Sequence, residues 1–242
     1  MSREAGSNRF VAFLSGLTGS FSIPGLILVA GAAGFGALAR DAGMSLFNAV
    51  FMMGVFFALP AQVVMMDQLA RGGSVVAGAF AVALTAVRLL PMTVALVPLF
   101  KDDKSAWRQT LAVHFVAVTA WIEGMRRLPP RPEPLRLSYF IGLGSGFVLA
   151  TLAGAAIGFV LAGSVPAIFA AALLFMTPIY FFLSLLATAR TNSDYLALAL
   201  GSMLGPVFHV LTPGFDLLLG GVAGGTIAYV FGRHRRRELP RE

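Results

Sequence analysis

The sequence predicts an all-α membrane protein, a polytopic helix bundle of about eight spans with an internal duplication and discontinuous helices. Three observations carry that fold class. Composition comes first: 57% of the 242 residues are hydrophobic and 12% are charged, with a mean hydropathy of +0.82, whereas soluble domains carry roughly 25% charged residues. Second, apolar runs recur along the whole chain, each near the roughly 20 residues that a helix needs to cross the hydrocarbon core. Third, most Lys and Arg residues flank those runs. The net charge of +7 is therefore a topology signal and not a nucleic-acid footprint. No cysteine is present, which excludes disulfides and thiol chemistry.

Each run has its own warrant. Met1–Arg9 is short and mixed in charge, so no cleavable signal is read there and the first span is expected to stay in the protein. Residues 10–39 form span one, broken near Ser20–Gly25 by a Gly/Ser/Pro cluster. Residues 44–69 form span two, interrupted by Pro60, and residues 74–100 form span three, carrying Arg88 and Pro91. Span four, 107–124, is the shortest and weakest. Residues 126–136 contain Pro129, Pro130, Pro132 and Pro134 among arginines and read as a stiff, extended cytoplasmic loop. Spans five to eight cover 137–162, 165–189 (with Pro178), 195–211 and 215–231, and a basic tail closes the chain from residue 233.

With eight crossings, 13 Lys and Arg residues fall on the side of the termini and Arg40, Lys101, Lys104 and Arg108 on the other. That bias places both termini in the cytoplasm. The chain then divides into a first half (1–125), the loop, a second half (137–232) and the tail. The halves share a pattern: Ala30-Gly31-Ala32-Ala33 recurs as Ala153-Gly154-Ala155-Ala156, Leu38-Ala39 as Leu161-Ala162, and Leu89 and Pro91 match Leu211 and Pro213, at an offset of 123 and then 122. Duplicated halves are typical of secondary transporters, whose sites lie between the repeats.

The residue that asks most of its surroundings is Arg88. A cation at bilayer depth costs several kcal/mol and persists only beside a partner or a wet cavity, and Pro91 removes a helix donor in the same turn. Arg88 is the candidate for a substrate carboxylate, which a guanidinium grips bidentately; the bland reading is an ion pair inside the bundle, with Asp67 or Asp216 as partner. Gln62 lies beside the Pro60 break, and Thr85 lies one turn before Arg88 on the same helix face. Ser20 and Ser22 sit in the span-one break, where unwound backbone can face a solute or small residues can form a packing seam. His114, His209, Glu123 and Asp67 are the groups that could couple transport to protons, His209 falling next to the position equivalent to Arg88. The histidines show no metal-ligand spacing, no phosphate-binding glycine loop is present, and no catalytic triad or HExxH pattern occurs. No cofactor and no enzymatic activity are expected.

Pro24-Gly25, Gly34-Phe35-Gly36-Ala37-Leu38-Ala39, Ala42-Gly43-Met44-Ser45, Met52-Met53, Phe57-Ala58 and Pro60-Ala61-Gln62, with Arg88 ahead of Pro91 and Pro98, resemble the AzlC-type permeases. The resemblance implies export of branched-chain amino acids and a small hydrophobic AzlD-type partner subunit. Two positions depart from the family pattern: Ala86 stands where an asparagine is usual, and the fourth span has Glu123 only at its edge. The expected function is thus secondary transport of a small apolar amino acid across the bacterial inner membrane. The alternative is a non-transporting structural subunit whose Arg88 pairs with a carboxylate of another chain.

Overall fold

The computed structural model describes residues 2–70, 72–103, 105–162, 164, 166–189, 191–212 and 216–238. Among them every regular element is helical, and four helices are long and apolar enough to cross a membrane. The all-α membrane bundle is confirmed, and its helices are discontinuous. Arg71, Lys104, Arg190, Pro213 and Arg241, which enter the charge count or the repeat, lie outside the described residues.

Span one is two helices, α1 (Ser2–Gly19) and α2 (Ile23–Asp41). Pro24 opens α2, where a fixed φ and a missing N–H suit a helix start. The Ser20 carbonyl folds over Gly25 so closely that a Cβ there would overlap it. Gly43, at φ +77°, closes the far end of α2, with the Met44 amide donating to the Ala39 carbonyl at 3.0 Å. Next come α3 (Leu46–Val55), capped by the Ser45 hydroxyl, and α4 (Leu59–Ala70). The third run is α5 (Val75–Ala86), a 3₁₀ turn (Val87–Leu89), α6 (Leu90–Leu96) and a second 3₁₀ turn (Val97–Phe100). After it follow α7 (Ala106–His114), α8 (Val118–Arg127), α9 (Glu133–Leu161), α10 (Ala167–Thr188), α11 (Asn192–Leu211) and α12 (Asp216–Glu238).

Two of the expected crossings fold back instead. At one end of the α7–α8 pair, Phe100 packs on Phe140 with ring centroids 5.3 Å apart, and Arg108, ion-paired with Asp103, donates to Ser138 at 2.7 Å. At the other end, Arg127 donates to the Tyr139 hydroxyl at 3.3 Å. Both ends of α7–α8 therefore sit at the first turns of α9. The middle, Phe115, lies deeper, against Gly144. Residues 107–124, read as the fourth span, are thus a helical hairpin. At 1.5 Å per residue its arms are about 14 Å long, half a hydrocarbon core.

The same geometry settles α3–α4. The Val75–Phe100 run is 26 residues, about 39 Å, and finishes beside the start of α9. Its own start is then at the opposite end, where α2 finishes and α3 begins. In agreement, Met65 of α4 shares a buried cluster with Ala39 of α2 and Ala49 of α3. The α3–α4 pair is a second hairpin, entering from the face opposite to α7–α8. The loop read as extended over 126–136 is also compact: α8 runs to Arg127, α9 starts at Glu133 after Pro132, and Arg136 donates to the carbonyls of Leu128, Pro129 and Arg131.

The bundle is built on α9. Gly142 meets the backbone of Phe13, Gly154 that of Val29 and Gly158 that of Ala33, and the paired numbers rise together. The α1–α2 rod and α9 therefore run parallel, with the Ala-Gly-Ala-Ala segments of the two halves in contact. Small residues allow such backbone approach, the main source of helix association in lipid. A methyl on Gly36 or Gly158 would overlap the carbonyl of Ala155 or Ala33. Gly36→Ala and Gly158→Ala are each expected to cost about 1–3 kcal/mol, read as a lower melting temperature in detergent. Gly221→Ala, inside α12 with open space around it, should hold or raise the melting temperature.

Candidate functional site

Three helix breaks and the α2–α9 rod meet at one cavity. The tip of the first hairpin supplies Phe57, Ala58, Leu59 and Pro60, with Met53 before it and Gln62 after it; the 3₁₀ turn supplies Arg88 and Leu89; the tip of the second hairpin supplies Ala117 and Val118; the rod supplies Leu28 and Thr151. The empty space between them is about 440 Å³, part of it open. Leu28 and Thr151 stand 123 positions apart, the offset of the repeat. Irregular backbone at membrane depth survives where it is buried in protein or lines a wet cavity.

Two polar groups here lack partners. Gln62 is fully buried. Its Nε2 donates to the Phe56 carbonyl at 2.5 Å and contacts the Met53 sulfur at 3.2 Å. That carbonyl can only accept, which fixes the amide orientation and leaves Oε1 buried without a hydrogen bond. Arg88 is half-buried and its Nε is likewise unpartnered. Among the described residues no carboxylate pairs with Arg88. An orphaned buried donor or acceptor costs about 1–3 kcal/mol, a cost that an ordered water or a bound ligand offsets by supplying the missing partner.

The other sequence-predicted residues are placed elsewhere. Ser20 donates to the Leu17 carbonyl at 2.7 Å and Ser22 to the Ser20 carbonyl at 3.4 Å, so both close the span-one break. Thr85 donates back to the Ala81 carbonyl at 3.0 Å. Ser20, Ser22 and Thr85 do not line the cavity. His114 is exposed at the end of α7 with its ring edge-on to Phe115. Exposed Asp67 and His209 lie on α4 and α11, away from the cavity lining. The side chain of Asp216 lies outside the described residues.

Glu123 organises a separate polar centre at the base of the second hairpin. It is 1% exposed, held by Arg126 Nη2 at 2.8 Å and Arg127 Nε at 2.5 Å. Arg127 also donates to the Gly19 carbonyl at 3.1 Å, where a cation suits the carbonyl end of α1. Arg131 stacks 3.6 Å above the Tyr139 ring. This cluster ties α8 to the span-one break and to α9.

Sequence reasoning missed Thr151, Met53 and the second hairpin tip. Nothing at Phe115–Ala117 signals a break, since it contains neither Gly nor Pro.

A family model described as AzlC protein matches residues 24–165, more than half of the chain. Every residue that lines the cavity falls inside that stretch. No curated protein and no solved structure matches the chain.

Proposed function

The chain belongs to the AzlC family, a transport family, and from that premise we propose that it is a secondary carrier exporting branched-chain or similar small apolar amino acids across the cytoplasmic membrane. The observation that carries this reading is the pair of unpartnered groups, Arg88 Nε and Gln62 Oε1, lining one cavity with Leu28, Met53 and Phe57. The guanidinium takes the carboxylate, the amide oxygen takes an N–H, and the apolar wall takes an aliphatic side chain. Hairpin tips that enter from opposite faces suit alternating access, since each can open the site to one side. A structural subunit would pair Arg88 with a carboxylate of another chain; here Arg88 lines the same partly open cavity as Gln62, which favours the carrier reading.

The hairpins also improve the charge bias. With six crossings, fifteen of the eighteen Lys and Arg residues fall by chain position on the side of the termini, Arg40 and Arg71 on the other, and Arg88 lies between. That supports cytoplasmic termini. An AzlD-type subunit belongs to the same proposal. The test is counterflow of labelled leucine in proteoliposomes, with and without that subunit and a proton gradient. Absence of leucine-specific exchange under all four conditions would sink the reading.

A further inference from the structure

We infer that the cavity is built for aliphatic 2-hydroxy monocarboxylates, which it binds more tightly than the corresponding amino acids; this rests on the carrier reading and deepens it. The first ground is charge. Among the described residues that line the cavity, Arg88 is the only ionisable one, and none is Asp, Glu or His. A bound carboxylate neutralises the guanidinium. A bound zwitterion does the same and then adds a buried ammonium that no anion offsets. An ion taken out of water without a counter-charge keeps several kcal/mol of desolvation cost.

The second ground is the helix end at the second hairpin tip. Ala117 and Val118, which line the cavity, are the cap and first residue of the ten-residue α8. The cap has no side-chain hydrogen bond, and the first helical bond is Trp121 N–H to the Ala117 carbonyl. The amides of Val118, Thr119 and Ala120 are thus not used within the helix. Free amides and the positive end of the helix dipole favour an anion. This would be weak alone, but fully buried Gln62 lines the same cavity and its Oε1 has no partner.

The third ground is what that oxygen can accept. It is neutral, so it satisfies a 2-hydroxyl completely, whereas it offers an ammonium one neutral acceptor and leaves the charge uncompensated. An aliphatic acid with no 2-substituent leaves Oε1 orphaned. The ranking follows: 2-hydroxyisocaproate first, then leucine and 4-methylpentanoate, with leucinamide, which lacks the carboxylate, excluded.

The test uses the full chain in proteoliposomes, with direct binding of labelled 2-hydroxyisocaproate and of labelled leucine, and competition by 4-methylpentanoate and leucinamide. The expected result is a dissociation constant for 2-hydroxyisocaproate about tenfold below that for leucine, a difference of about 1.4 kcal/mol, with no competition from leucinamide. Gln62→Glu places a carboxylate in the cavity that Arg88 also lines and should reverse the preference toward leucine. Tighter binding of leucine than of the hydroxy acid by the unmodified chain overturns the inference and leaves the carrier reading standing. Binding of the hydroxy acid without binding of leucine upholds the inference and overturns the amino-acid reading. Binding of neither overturns both. If Gln62→Glu does not fold, the comparison in the unmodified chain decides alone.

Discussion

Arg88→Gln is expected to weaken solute binding at least about 30-fold while leaving the fold as stable as before or more so. The two halves of that result come from one fact, the absence of a carboxylate partner for Arg88 among the described residues. If Arg88 held the bundle together through an ion pair, its removal would strand a buried anion and cost about 3–5 kcal/mol. With no such anion among the described residues, the substitution removes a cation whose burial is unfavourable in the empty protein. The melting temperature without solute should hold or rise. In the loaded protein the guanidinium and the solute carboxylate form a charge-assisted pair, and truncating one member costs about 2–5 kcal/mol, roughly 30- to 5000-fold in affinity. Arg88→Lys keeps the charge and loses the planar fork, so intermediate affinity is expected. Thermal melting with and without solute, combined with counterflow, reads both quantities. A fall in stability of the solute-free protein with unchanged exchange would make Arg88 a structural residue.

The features of the site that came from the sequence are those that break a local rule. Arg88 beside Pro91 and Gln62 beside Pro60 violate membrane solvation and helix continuity, and both residues line the cavity. The break at Ser20–Ser22 was legible for the same reason, although its serines serve the backbone and not the solute. The direction of the chain was not legible. Hydropathy measures apolar length, and residues 44–69 contain enough of it for a crossing, whether they cross or turn round. The turn is made at Phe56–Ala58, and the corresponding turn at Phe115–Ala117 has no breaker residue at all. One signal did point the right way. Lys101, Lys104 and Arg108 sat on the poorly charged side in an eight-crossing scheme, and a single hairpin at α7–α8 would have left the termini on opposite sides. Only two hairpins together restore the bias. The parallel seam of α2 and α9 was foreshadowed by the repeated Ala-Gly-Ala-Ala, because helices that approach through small residues advertise them in sequence.

Glu123→Gln is the substitution expected to damage the fold most among the polar residues. The carboxylate is almost fully buried and neutralises Arg127, whose side chain is 23% exposed. With a neutral amide in its place, Arg127 keeps Gly19 and Tyr139 as acceptors but has no counter-charge. Breaking a fully buried pair costs about 3–5 kcal/mol; partial exposure of Arg127 reduces that to about 2 kcal/mol by solvent screening. For a chain of this size that is a fall of roughly 4–8 °C in melting temperature. Arg126 supplies an internal control, since it holds the same carboxylate from a side chain that is 64% exposed. Arg126→Ala should cost less than about 0.5 kcal/mol, and Arg127→Ala several times more because it also uncaps α1 at Gly19. The contrast separates a buried tether from surface charge. Equal losses from the two arginine substitutions would show that Glu123 needs a counter-charge but that the contact with the span-one break contributes nothing. The position of that tether gives it a second consequence. It fixes the base of the hairpin whose tip carries Ala117 and Val118 into the cavity, so Arg127→Ala should weaken solute binding even at temperatures where the protein remains folded, whereas Arg126→Ala should not.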